Sequence, residues 1–195
     1  MNDLSFQIPT NRLNARGLIR HPIRQYAWFV DDIDEACHKW NKMLGAGPFF
    51  VVRHHIGEGF LYRGKHIEAD VSYAFGQAGP AHIQFIAQHD DTPSIYRDMY
   101  KKGENGFHHV GVLVPNVQEE VRRFQAAGYE VACELWGGDY VAYMDCRKDM
   151  GCFVELHGDA PVICKLFDGW QTMHEEWDGV TDLIRENTNN REGRQ

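Results

Sequence analysis

The sequence predicts an α+β protein: two tandem βαβββ modules forming a curved mixed sheet around a central cavity, with an additional C-terminal helix. Three observations lead there. The segment Ile23–Glu35 returns as Phe107–Glu119, each copy an apolar strand, a helix-capping turn and the start of an amphipathic helix. Each copy then closes on an apolar strand interrupted by a polar residue, Gln84 in His82–Ile86 and Glu155 in Phe153–His157. Apolar spacing also alternates between the strand and helix periods in the same order in both halves. Such internal repetition fixes architecture before any motif is read.

The elements follow in order. Residues 1–20 are polar and mixed and read as an N-terminal arm. The first module, 21–89, opens with a strand from Ile23 to Val30. Asp32 and Glu35 form a capping box, in which each side chain satisfies a backbone N–H at the helix start. Ile33, Ala36, Cys37, Trp40 and Leu44 give that helix one apolar face, and Gly45-Ala-Gly-Pro48 stops it. Strands are expected at Phe49–Ile56, Glu68–Phe75 and His82–Ala87. A linker, 90–106, carries a short helix around Ser94–Tyr100.

The second module, 107–158, repeats the pattern. A strand Phe107–Val114 precedes a helix capped by Asn116 and Glu119, and strands follow at Glu130–Leu135, Tyr140–Asp145 and Cys152–His157. In 159–184, Ile163, Leu166, Phe167, Trp170 and Trp177 recur at helical spacing, with Asp168-Gly169 a place where the helix could break. The polar residues 185–195 read as a disordered tail.

Bulk properties exclude several classes. A chain of 195 residues with 43% apolar and 12% aromatic content can bury a core and is no disordered acidic segment. A formal charge of −8 argues against a nucleic-acid partner, which needs clustered Lys and Arg. Five cysteines without CxxC spacing read as buried free thiols. With no signal-like N-terminus and no apolar run of membrane length, the expected location is the cytoplasm.

Strand alternation picks out the chemistry. The large apolar residues Tyr26, Trp28, Val110, Val112 and Val114 must lie under the helices, so Gln25 and His109 point to the opposite, concave side. The same parity places Gln84 beside His82, and Glu155 beside Phe153 and His157. Gln25, Gln84, His109 and Glu155 thus become candidate ligands of a divalent cation, whose residual charge would polarise a coordinated oxygen. His54, Tyr73, His82, Tyr143, Phe153 and His157 are candidates for the substrate pocket, and His54, Glu58, His82, Tyr73, Tyr143 and His157 for a second proton-transfer group.

The paired βαβββ units, the His-Val-Gly-Val run at His109, Gly-Pro-Phe-Phe after the first helix and Phe-Val-Glu-Leu in the last strand resemble the vicinal oxygen chelate superfamily. Glyoxalase I, methylmalonyl-CoA epimerase, bleomycin-resistance proteins and extradiol dioxygenases belong to it, and the resemblance covers His21 to Gly158. It implies metal ligands from the first and last strands of each module, here Gln25, Gln84, His109 and Glu155. The ion would be zinc, nickel, cobalt, manganese or iron. Gln25 is similar to the first ligand of eukaryotic-type glyoxalase I, which has Glu where this chain has Gln84. Gln84, His109 and Glu155 look like methylmalonyl-CoA epimerase, which has His where this chain has Gln25.

The resemblance further implies that Glu155 is both ligand and proton shuttle in an isomerase, epimerase or lyase acting on a small carbonyl or thioester substrate. It also suggests a homodimer to which the C-terminal helix contributes. The rival reading is a metal-free module that sequesters an aromatic or drug-like ligand. An extradiol-type dioxygenase needs a second histidine ligand, which only His82 or His108 could supply.

Overall fold

The computed structural model describes residues 17–56, 59–136 and 138–186; residues 1–16 of the expected arm, Glu58 and most of the expected tail lie outside them. In chain order the first module contains β1 (Ile23–Phe29), α1 (Ile33–Leu44), β2 (Phe49–Ile56), β3 (Phe60–Tyr62), β4 (Lys65–Ile67), β5 (Asp70–Ala78) and β6 (Ala81–Gln88). The second contains β7 (Gly106–Val114), α2 (Val117–Ala126), β8 (Val131–Trp136), β9 (Tyr140–Met144), the short α3 (Arg147–Met150) and β10 (Phe153–Gly158). The long helix α4 (Pro161–Glu175) and β11 (Ile184–Glu186) complete the fold.

Both helix starts are capped as the sequence requires. Asp32 accepts from the Glu35 amide and Asn116 from the Glu119 amide, each satisfying an orphan N–H of a first turn. Beneath α1, Ile33, Ala36 and Cys37 bury against Val51, Ile83 and Phe85. Trp28 and Trp40 meet at 4.5 Å, and Trp40 and Phe85 at 5.3 Å, both edge-on. Such aromatic contacts add about 0.5–1.5 kcal/mol each beyond simple burial. Gly76 makes room for this layer, since a Cβ there would stand 2.5 Å from the Phe49 ring. Under α2, Val117 and Phe124 pack on Val110, Val112 and Val154.

One mixed sheet holds all the strands of the described residues, in the order β11-β2-β5-β6-β1-β7-β10-β9-β8-β3-β4. Its middle is a seam between modules, β1 antiparallel to β7, flanked by β6 parallel to β1 and β10 parallel to β7. The registers are equivalent across the seam: Gln84 sits beside Ala27 as Glu155 sits beside Gly111. At the edges the symmetry ends. The β3–β4 hairpin leaves the first module between β2 and β5 and pairs with β8 of the second, Leu61 opposite Glu134 and Tyr62 opposite Cys133. The sheet must therefore curl around its concave face so that both edges can be reached.

Several expectations need correction. The segment around Ser94–Tyr100 is turns, not helix, because Ser94 spends its hydroxyl on Gln88 and on the amides of Tyr96 and Arg97. Its Ile95 and Tyr96 plug one end of the concave face with Phe29, Ile86 and Phe153. Helix α4 runs unbroken through Asp168-Gly169 and lies across the other end, Ile163, Phe167 and Trp170 packing on Phe50, Phe75 and Leu113. The concave side is thus not helix-free. Arg185 and Glu186 are not tail but strand β11, paired with β2. The β3–β4 hairpin has no counterpart in the sequence pattern, its strands being too short to show a period.

A polar clasp fastens that hairpin. Arg147 grips Asp145 with two hydrogen bonds, 2.8 and 2.7 Å, while Arg63 reaches Asp145 at 3.1 Å and Asp98 at 2.7 Å. Tyr62 donates to the other oxygen of Asp98 at 2.7 Å. The Arg147 hydrogen bonds outweigh partial burial, and with help from Arg63 they hold the Asp145 carboxyl down at about 2. A carboxylate with a depressed folded-state pKa stabilises the fold above its ordinary value, and that contribution disappears as pH falls through about 2. Asp145→Asn should therefore cost about 1 kcal/mol at neutral pH. In denaturant titrations the gap from the parent protein should close towards pH 2; a gap independent of pH would show that the charge contributes nothing.

Candidate functional site

The four polar side chains meet. From β1, Gln25 directs Nε2 at Gln84 Oε1 on β6 (2.8 Å), Glu155 Oε2 on β10 (3.0 Å) and His109 Nε2 on β7 (3.2 Å). His109 Nε2 also lies 3.0 Å from Glu155 Oε2. All four are buried, and Glu155 is only 8% exposed. A carboxylate so far from water demands a positive partner.

The hydrogen-bond chain behind His109 fixes what it presents. His108 Nε2 lies 3.2 Å from the Ile95 carbonyl, to which it donates, leaving its Nδ1 as an acceptor. His109 Nδ1, 2.9 Å away, must then carry a proton and give it to His108. Burial, then the neighbouring His109, drives the His108 pKa far down, which keeps this ring neutral and accepting. With Nδ1 committed, the His109 Nε2 position beside Glu155 calls for a cation, either a proton or a metal ion. Gln25 is oversubscribed as well: an amide nitrogen has two hydrogens for the three acceptors it faces.

That donor set suits a divalent ion. Which end of an amide is oxygen is an assignment, and half a turn of the Gln25 amide brings Oε1 to the centre. Three side-chain oxygens and one imidazole nitrogen would then converge, a set for a borderline or hard divalent metal. The separations of 2.8 to 3.2 Å match the roughly 3.0 Å between neighbouring ligands of an octahedral ion with bonds of about 2.1 Å. Gly111, opposite Gln25 and beside Glu155, leaves the space: a Cβ there would lie 3.0 Å from Gln25 Cβ and 3.1 Å from Glu155 Oε2.

Above the centre opens a cavity of about 520 Å³. Gln25, Gln84 and Glu155 form part of its wall, and most of the rest is apolar or aromatic, including Phe75, Leu135, Trp136 and Trp170. Among the described residues, none lining it is Lys or Arg. Burial pushes the Glu155 carboxyl up, but the hydrogen bond and charge of His109, with His157 and Tyr143 nearby, outweigh it and bring it below the ordinary value. Burial, then the Glu155 charge, drives the Tyr143 hydroxyl well above its ordinary value, so it stays protonated as a donor.

The other candidates divide. Tyr73, Tyr143 and His157 line the cavity; His54, His82 and Phe153 do not. His54 stands on the outer side of β2 against Asp70 and His89. Phe153 is core beneath the 95–100 turn. His82 is sandwiched against Trp170 and Phe167 with Nδ1 on Gln77, because α4 covers its part of the sheet. Neither His82 nor His108 clusters with His109 and Glu155 at metal-ligand distances, so neither supplies the second histidine of the dioxygenase pattern. His55, which alternation reads as a surface or satisfied histidine, lines the cavity, because the strand that carries it is bulged.

A family model described as the Glyoxalase/Bleomycin resistance protein/Dioxygenase superfamily matches residues 24–143. The chain belongs to this superfamily. Among solved structures, methylmalonyl-CoA epimerase from Mycobacterium tuberculosis is similar at a TM-score of 0.54 and 18% identity, over 79% of this chain and 97% of that one. A hypothetical protein from Bacillus halodurans C-125 gives 0.51 and 16%, over 72% and 95%. A Streptomyces coelicolor methylmalonyl-CoA epimerase variant in complex with 2-nitronate-propionyl-CoA gives 0.51 and 15%, over 72% and 98%. At these identities the likeness is one of fold. No curated protein matches the sequence.

Crowding of the centre is directly testable. Gly111→Ala should weaken binding of a divalent ion about tenfold to a hundredfold by displacing Gln25 and Glu155. The far-ultraviolet circular dichroism spectrum should be unchanged. Calorimetric titration with cobalt or nickel measures the first quantity, and equal affinities would refute the crowding argument.

Proposed function

We propose that this chain is a metal-dependent vicinal oxygen chelate enzyme that moves a proton on the carbon next to a carbonyl. Gln25, Gln84, His109 and Glu155 would hold one divalent ion. The observation that carries the reading is their convergence, two from each module, at the wall of a cavity large enough for a small molecule. Bound there, the ion supplies Lewis-acid polarisation of a substrate carbonyl.

The chain's own residues do the rest. Glu155, ionised and shielded from water, takes the α-proton, and the electron pair left behind moves onto the carbonyl oxygen as an enolate. Tyr143, held protonated by burial and the neighbouring Glu155 charge, would supply a donor beside the carboxylate. His157 fixes its ring by directing Nδ1 to the Gly158 carbonyl at 2.8 Å, and returns or relays the proton from the cavity wall. An aromatic wall with no Lys or Arg among its described residues favours a neutral carbonyl compound with an apolar or aromatic body over one carrying phosphates.

Glu155→Gln provides the test. Solvent-deuterium incorporation should be screened over 2-oxo thiohemiacetals, hydroxy ketones and acyl-CoAs with protein loaded with nickel, cobalt, zinc or manganese. The parent protein should exchange at least one class, and the variant should lose about 10²–10⁴-fold in rate. Chelator should abolish exchange. No exchange with any class, or exchange untouched by the substitution, would overturn the assignment. The aromatic wall also favours a second reading, sequestration of an aromatic ligand without metal; there, affinity would survive both chelator and Glu155→Gln.

A further inference from the structure

A second group of ligating side chains lies outside this centre. His54, Asp70 and His89 each offer a ligand atom, and these atoms lie within 4.8 Å of one another. His54 Nδ1 is 2.9 and 3.1 Å from the two Asp70 oxygens, and the His54 and His89 rings face each other at 4.3 Å. We propose that these three residues form a peripheral site for a late first-row divalent ion such as zinc.

The backbone is built to bring them together. Between the pairs Val52–Tyr73 and His55–Val71, Arg53 and His54 on β2 face Ser72 alone on β5, which is a β-bulge. His54 adopts φ 49°, a left-handed conformation that non-glycine residues seldom take. Alternation alone would not aim its ring at His89. Ser72 locks the arrangement, accepting the His54 amide at 3.0 Å and contacting His89 Nε2 at 2.6 Å. The backbone bond from His89 to the Asp70 carbonyl, 2.8 Å, anchors the third ligand to the second.

Two imidazoles and a carboxylate are the donors such an ion takes, and the exposed faces of His54 and His89 leave further positions to water. On binding, the ion replaces the proton that His54 Nδ1 shares with Asp70. It would cross-link the β2 bulge, β5 and the residue after β6, steadying the strand end that presents His55 to the cavity.

Equilibrium dialysis against zinc, followed by elemental analysis, tests the site on the full chain. Glu155→Gln disables the central site and should still bind about one equivalent. Adding His54→Ala should remove that equivalent, as should adding His89→Gln in a separate variant. The zinc-induced rise in Tm of Glu155→Gln should vanish with it. If Glu155→Gln binds no zinc, or the added substitutions leave its equivalent in place, the peripheral site does not exist, whatever becomes of the central one.

Discussion

The antiparallel pairing of β1 with β7 is the constraint on which everything else rests. It sets Gln25 opposite Gly111 and Ala27 opposite His109, so two small residues stand where side chains would otherwise fill the centre. The flanking parallel strands repeat the arrangement, bringing Gln84 to Ala27 and Glu155 to Gly111. A slip of one residue along this seam would turn the polar side chain of the slipped strand, Gln25 or His109, towards the helices. The apolar layers under α1 and α2 forbid that slip, because Trp28, Val110 and Val112 would then face the cavity. Packing on one side of the sheet therefore sets the chemistry on the other.

The same constraint explains what could be read from the amino acids. Duplication and alternation located both helices, the main strands and the four central residues, since each is a local periodic signal. What escaped was non-local. The β3–β4 strands are three residues each, too few for a period, and their partner β8 lies far along the chain. Helix α4 was foreseen as a helix, but nothing in its periodicity says that it lies across His82 and Phe75. Alternation also failed locally at the β2 bulge, where His54 leaves the cavity and His55 enters its wall.

Electrostatics within the centre depend on a chain of committed protons. Ile95 orients His108, and His108 orients His109, so a carbonyl in a connecting turn reaches the heart of the site through two rings. Tyr96, adjacent in that turn, packs on the His108 ring. The turn between modules thus both closes one end of the concave face and is the outermost support of an inner residue.

The β3–β4 hairpin ties the two repeats to one another. Only the first repeat possesses it, since β8 and β9 of the second are joined by a short connection, 137–139. Because the hairpin pairs with β8, the first repeat buries part of its own chain only against the second. Such long-range pairing also raises contact order, so assembly of this architecture must await synthesis of nearly the whole polypeptide.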